Sequence, residues 1–198
     1  MGTRPPFHDL LRAVEQSLDL VKPEQADRFM ETFVTAYREK RVVGVVGAGR
    51  SGLVAKSFAM RLMHLGFNVF VIGETITPAI RDGDILLAVS GSGDTALTVS
   101  SAQVAKRVGA KVMSITSFPN SNLAKLSDVV LIVSGRAQRT RSIDYFSRQL
   151  LGIHEPLAPL GTVFELSVSV LLDSMVTELM RLLNVRESDM LNRHSTVP

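Results

Sequence analysis

Cysteine and tryptophan are both absent from this 198-residue chain, and aromatic residues make up only 6% of it. Without cysteine there can be no disulfide and no thiolate metal site, and a cytoplasmic location is the expectation. Long apolar runs are also missing: each is broken by Ser, Asp or Arg well before the roughly 18 residues that a membrane span requires. No charged-then-apolar leader is expected, and Pro6 stands where a myristoylation signal after Met1-Gly2 would carry Ser or Thr. Charge of one sign is scarce, since 22 basic residues face 19 acidic ones for a net charge of +3. The one basic cluster, Arg136, Arg139, Arg141 and Arg148, reads as a solvated loop and helix face, so no nucleic-acid partner is expected. No pair among the four histidines has metal-ligand spacing, and no metal is expected.

Two turns rich in glycine and serine stand out against this background. Gly47-Ala-Gly-Arg-Ser-Gly52 follows the apolar run Val42 to Val46, and Ser90-Gly-Ser-Gly-Asp-Thr95 follows Ile85 to Val89. Glycine allows a tight turn and close approach to a ligand, while the helix that follows presents unpaired N–H groups to an anion. In the second turn Ser90, Ser92 and Thr95 add hydroxyl donors, a combination suited to a compact terminal phosphate.

The order of elements points to α/β architecture. Helical patterns near 7–21 and 24–40 are separated by Lys22-Pro23, with Pro at the start of the second helix. Strands are expected near 42–46, 68–72, 85–89, 111–115 and 129–133, and further helices near 51–65, 95–108, 121–126 and 162–183. Runs such as Ile85-Leu-Leu-Ala-Val89 are apolar throughout, as in strands covered on both faces. The expected fold is a single doubly wound domain over 1–198, with a five-stranded parallel sheet flanked by helices in the flavodoxin-like manner. Its parts are N-terminal helices over 1–40, a sheet and phosphate-loop core over 41–134, and a loop, long helix and tail over 135–198. The length suits one buried core and is short for two domains.

Gly47, Gly49 and Gly52 also satisfy the G-x-G-x-x-G fingerprint of dinucleotide sites, with Glu74 at about the spacing of a ribose-binding acid. Glu74, however, lies past the strand end in Gly73-Glu-Thr-Ile-Thr-Pro78, and Arg50-Ser51 put a cation and a hydroxyl inside the turn. A dinucleotide leaves the Ser90 turn without a task, whereas one phosphosugar explains both turns.

These two turns resemble the sugar isomerase (SIS) domain. Four further segments resemble the 6-phospho-3-hexuloisomerases of the ribulose monophosphate pathway of formaldehyde assimilation: Ala59-Met-Arg-Leu-Met-His-Leu-Gly-Phe67, Gly73 to Pro78, Pro159-Leu-Gly-Thr-Val-Phe-Glu165 and Arg193-His194. The resemblance implies a homotetrameric isomerase without cofactor, converting D-arabino-hex-3-ulose 6-phosphate to D-fructose 6-phosphate through a cis-enediol(ate). It implies that Ser51, Ser90, Ser92 and Thr95 hold the phosphate, that Arg50 contacts a substrate oxygen, and that Glu165 is the carbon base. It also implies that Arg193-His194 reaches a substrate site across a subunit boundary, with His194 serving the oxygens.

Local readings compete at several of these positions. Thr95 and the two serines also suit helix capping. Thr162-x-x-Glu165 forms a capping box at the start of an apolar helix. His64 lies among Met60, Leu62 and Leu65 and reads as structural, while His154 is a second candidate for the oxygen acid. A sugar-phosphate-sensing module without catalysis and, further off, an NAD-binding protein are the alternative functions.

Overall fold

A computed structural model of the protein describes residues 6–135 and 160–194. Helices α1 (Pro6–Asp19) and α2 (Pro23–Arg38) lead into β1 (Val42–Gly47), α3 (Gly49–Leu65), β2 (Asn68–Val71) and β3 (Ile85–Val89). Then come α4 (Ala96–Arg107), β4 (Lys111–Thr116), α5 (Asn122–Leu126), β5 (Val129–Ile132), α6 (Leu160–Leu183) and the short α7 (Glu187–Leu191). The expected strands and the longer helices are all present, with ends shifted by a few residues at most. The run at 187–191 is too short and polar to show a helical pattern in the sequence.

The five strands form one parallel sheet in the order β2-β1-β3-β4-β5. Connections from β1 lead outward in one direction and those from β3 in the other, so the order reverses between β1 and β3, where open α/β sheets hold their ligands. Alternate residues feed two cores. Val43, Val45, Leu87, Val89, Met113 and Ile115 face Phe29 and Phe33 of α2, Phe58 and Leu62 of α3, and Phe164, Val168 and Leu172 of α6. Val46, Leu86, Ala88 and Val112 face Ala102 and Ala105 of α4 and Leu123 of α5. Both faces are covered, which is why the strands are apolar throughout. Edge-to-face contacts of Phe33 with Phe29 and Phe58, at centroid distances of 5.5 and 5.6 Å, tie α2 to α3.

Helix α2 starts where Pro23 can sit without forfeiting a hydrogen bond, after an extended Lys22. Helix α3 stops at Gly66, whose φ of +98° makes the left-handed cap, with its N–H donating to Met63 O. No helix of the described residues is long and apolar enough to cross a membrane.

The join of β1 to α3 depends on two glycines. A Cβ on Gly47 would stand 2.8 Å from Gly52 Cα, and one on Gly52 would stand 2.8 Å from Gly47 O. Backbone therefore packs on backbone, and the first turn of α3 sits directly on the end of β1. Gly52→Ala should overpack this contact and lower unfolding free energy by about 1–3 kcal/mol, measured by urea denaturation. A change within error would show that the join can relax.

Candidate functional site

Parallel pairing aligns Gly47 with Val89, so the two glycine turns leave adjacent strands at the same level of the sheet edge. Helices α3 and α4 start there, and both direct their N-terminal N–H groups toward the switch point.

In the second turn the three hydroxyls are clustered. Thr95 Oγ1 is 3.0 Å from Ser90 Oγ and 3.4 Å from Ser92 Oγ. Ser90 Oγ accepts the Gly93 N–H at 3.2 Å and Ser92 Oγ accepts the Asp94 N–H at 3.3 Å. Ser90 and Ser92 are buried. Thr95 occupies the N-cap position of α4, yet its side chain makes no capping bond. Its hydroxyl is directed instead into the cluster, so the capping alternative does not describe Thr95.

Neighbouring elements hold this turn from behind. Gly93 has φ +66°, and a Cβ there would run into the side chains of Ser121 and Thr116. Gly93 O accepts the Leu123 N–H at 2.9 Å, and Asp94 Oδ1 accepts the Asn122 N–H at 3.0 Å. Thr116 and Ser121 were not among the residues singled out from the sequence. Neither lies in a glycine motif, and they meet Gly93 only because β3 and β4 pair.

The first turn meets α6. Arg50 Nε donates to Glu165 Oε2 at 2.7 Å, and Ser51 Oγ donates to Glu165 Oε1 at 3.4 Å. The Glu165 side chain is 11% exposed and that of Arg50 is 63% exposed. Helix α6 begins at Leu160, two residues before Thr162, so the Thr162-x-x-Glu165 pattern lies inside the helix. The Glu165 carboxylate is turned to the glycine turn. Sequence reasoning placed Arg50, Ser51 and Glu165 in one site by resemblance, and the structure brings these three together. Glu74, the acid that a dinucleotide would need, is half exposed and paired with Lys56 at 2.5 Å.

His194 lies elsewhere within the chain. Its ring stacks on that of His64 at 5.1 Å, and Arg193 Nη1 donates to His64 O at 3.1 Å. His64 follows Ser51 by thirteen positions along α3, about 20 Å at the helical rise. One chain thus keeps His194 at the far end of α3 from Glu165. His64 itself is buried, in keeping with its structural reading. His154 and the cluster Arg136, Arg139, Arg141 and Arg148 lie outside the described residues.

A cluster of hydroxyls and two helix N-termini at the switch point of a doubly wound parallel sheet place the protein among the open-sheet α/β domains. Residues 36–154 match the SIS domain, and the chain belongs to that family. A protein of uncharacterised function from Aeropyrum pernix is 53% identical over 91% of this chain and 85% of its own. The 3-hexulose-6-phosphate isomerase of Mycobacterium gastri is 40% identical over 89% of this chain and 82% of its own. A crystal structure from Methanococcus jannaschii, from which a 3-hexulose-6-phosphate isomerase function was inferred, superimposes with a TM-score of 0.74 at 27% identity. It covers 95% of this chain and 98% of that one.

Ser92→Ala removes one hydroxyl from the cluster, and a hydrogen bond to a charged group contributes about 1.5–3 kcal/mol. Calorimetric titration with a hexose 6-phosphate should show affinity falling by about tenfold or more; unchanged affinity would restrict Ser92 to shaping the turn. His64 carries a pH prediction. Burial first, then the positive charges of His194 and Arg61, hold its imidazole below the ordinary value. The unfolded chain then takes up the proton at higher pH than the folded one. The stability that His64 contributes is intact above about pH 6.5 and is lost as pH falls from there to the lower folded value. Tm should decline between pH 7 and 5, with a shallower slope in His64→Gln; equal slopes would remove His64 as the cause.

Proposed function

We propose that this sugar-phosphate isomerase converts D-arabino-hex-3-ulose 6-phosphate to D-fructose 6-phosphate, a reading supported by relatives that bear the name 3-hexulose-6-phosphate isomerase. The observation that carries the reading is Glu165, a largely buried carboxylate bonded to the turn beside a phosphate-sized cluster of hydroxyls. Ser90, Ser92 and Thr95, with the N-terminus of α4, bind the phosphate, and Ser51 and Arg50 line the path from it to Glu165. The enzyme works in the ribulose monophosphate pathway, needs no redox cofactor and acts as a homotetramer.

The chemistry moves a ketone by one carbon. Glu165 removes the proton from C2, the C2–H electron pair becomes the C2=C3 double bond, and the C3 carbonyl pair moves onto O3. The resulting cis-enediolate passes a proton from O2 to O3. The double bond collapses to a C2 ketone as C3 takes the proton back from Glu165. In the 3-ulose the phosphate blocks O6 and ring closure from O5 onto C3 would make a four-membered ring, so this substrate stays open and no ring-opening group is required in that direction. Phosphate binding at the hydroxyl cluster fixes the far end of an otherwise flexible chain, so that its binding energy orients C2 and C3. By the same family reading, Arg193-His194 of a neighbouring copy serves the oxygens.

Glu165→Gln keeps the shape and removes the base, and kcat should fall by about 10²- to 10⁴-fold. The decisive assay mixes the protein with hexulose 6-phosphate without nicotinamide and follows fructose 6-phosphate. Turnover in wild type and its loss in the variant is the expected result. Binding without turnover in wild type would make the protein a sugar-phosphate sensor, and near-normal turnover in a folded Glu165→Gln would move the base elsewhere.

A further inference from the structure

We propose that Arg50 is a catalytic residue whose guanidinium compensates the negative charge of the reaction in both places it resides, first on Glu165 and then on the enediolate oxygens. The inference rests on the isomerase reading above.

Its ground is the shape of the Arg50 contact. Bonding to Glu165 Oε2 is through Nε, at 2.7 Å, and the side chain is otherwise 63% exposed. The Nε edge is thus occupied by the base, and the two Nη groups are what the guanidinium offers to a molecule entering from solvent. Five N–H donors in a rigid plane let one arginine hold a carboxylate on one edge and an oxyanion on another, which a lysine ammonium cannot match. Ser51 holds the second carboxylate oxygen, at 3.4 Å, so Glu165 is oriented by adjacent residues of one turn.

Proton transfer makes this arrangement productive. Before the step, the charge is on Glu165 and the sugar carbons are neutral. After it, the proton is on Glu165, the electron pair from C2–H is in the C2=C3 bond, and the charge is on O3. With Nε on the base and Nη on O3, the guanidinium has an anionic partner at both stages. No ion pair has to be broken and no charge is left alone. A donor set already aimed where charge develops lowers the barrier without reorganisation. Arg50 and Ser51 each engage one carboxylate oxygen, which fixes the plane of the Glu165 carboxylate and leaves a lone pair on each oxygen for the substrate proton.

The test uses Arg50→Gln and Arg50→Lys in the intact enzyme, with kcat and KM for hexulose 6-phosphate and the exchange of the fructose 6-phosphate C3 proton with solvent deuterium. Expected are a fall in kcat of about 10²- to 10³-fold in Arg50→Gln, a parallel loss of exchange, and little change in KM. Arg50→Lys keeps a positive charge beside Glu165 but lacks the second edge, and should recover only a small part of kcat. Added guanidinium ion should partly restore Arg50→Gln. A defect confined to KM would overturn the proposal and leave Arg50 a ground-state contact, as would near-normal kcat in either variant. Absence of turnover in wild type is a different result, and sinks the isomerase reading instead.

Discussion

The contact of Gly52 with the end of β1 is the constraint on which the site depends. It brings the first turn of α3 onto the strand, and that turn carries both residues that bond Glu165. A side chain at position 47 or 52 would push the helix away from the strand by roughly the width of a methyl group. Arg50 and Ser51 would move with it. The same contact leaves N–H groups of α3 turned toward the sheet edge, where the pairing of Gly47 with Val89 sets them beside the Ser90 turn. One backbone contact therefore serves packing, the direction of the α3 N–H groups and the placement of Arg50 and Ser51 against Glu165.

The two turns divide the work. The Ser90 turn is braced by β4 and α5 through Gly93, Asp94 and Thr116, and its hydroxyls are satisfied among themselves and by backbone N–H groups. That makes a rigid seat for a group that binds without reacting. The Gly47 turn is tied instead to α6 by an ion pair with one exposed partner. The Arg50 side chain is solvated while Glu165 is largely buried, so the guanidinium can meet a substrate with its solvent edge while the carboxylate stays in place. On the proposed mechanism the braced turn holds the phosphate and the turn tied to Glu165 lies where protons move.

Much of this was legible in the sequence because backbone pattern and composition dictate it. Val42–Val46 and Ile85–Val89 are apolar at every position since both sheet faces are covered, and the turns after them carry the glycines that close approach demands. What escaped was set by contacts between distant positions. Arg50 and Glu165 are 115 positions apart, so their ion pair has no local signal: the pattern Thr162-x-x-Glu165 by itself offers a capping box, and only the family resemblance puts the two residues in one site. Thr116 and Ser121 reach Gly93 only through the β3–β4 pairing. The fold of the tail onto His64 had no local signal either: Glu187–Leu191 is too short for a helical period, and the His64–His194 stack joins the ends of two elements remote in sequence.

The separation of His194 from Glu165 bears on what the reaction needs. A group must come within hydrogen-bonding reach to move a proton, and a histidine about 20 Å away along α3 does not serve a sugar held by its own chain. A neighbouring copy could supply one, but the intermediate reduces the need. In a cis-enediolate O2 and O3 lie on the same side of a double bond, at about the 2.7 Å of a hydroxyl hydrogen bond, so the O2 proton is already shared with O3. What that pair lacks is a partner for its charge, and a planar guanidinium suits two such oxygens. On the mechanism proposed above a histidine would refine the partition of protons between O2 and O3, while the barrier to forming the enediolate would be governed by Glu165 and the cation beside it.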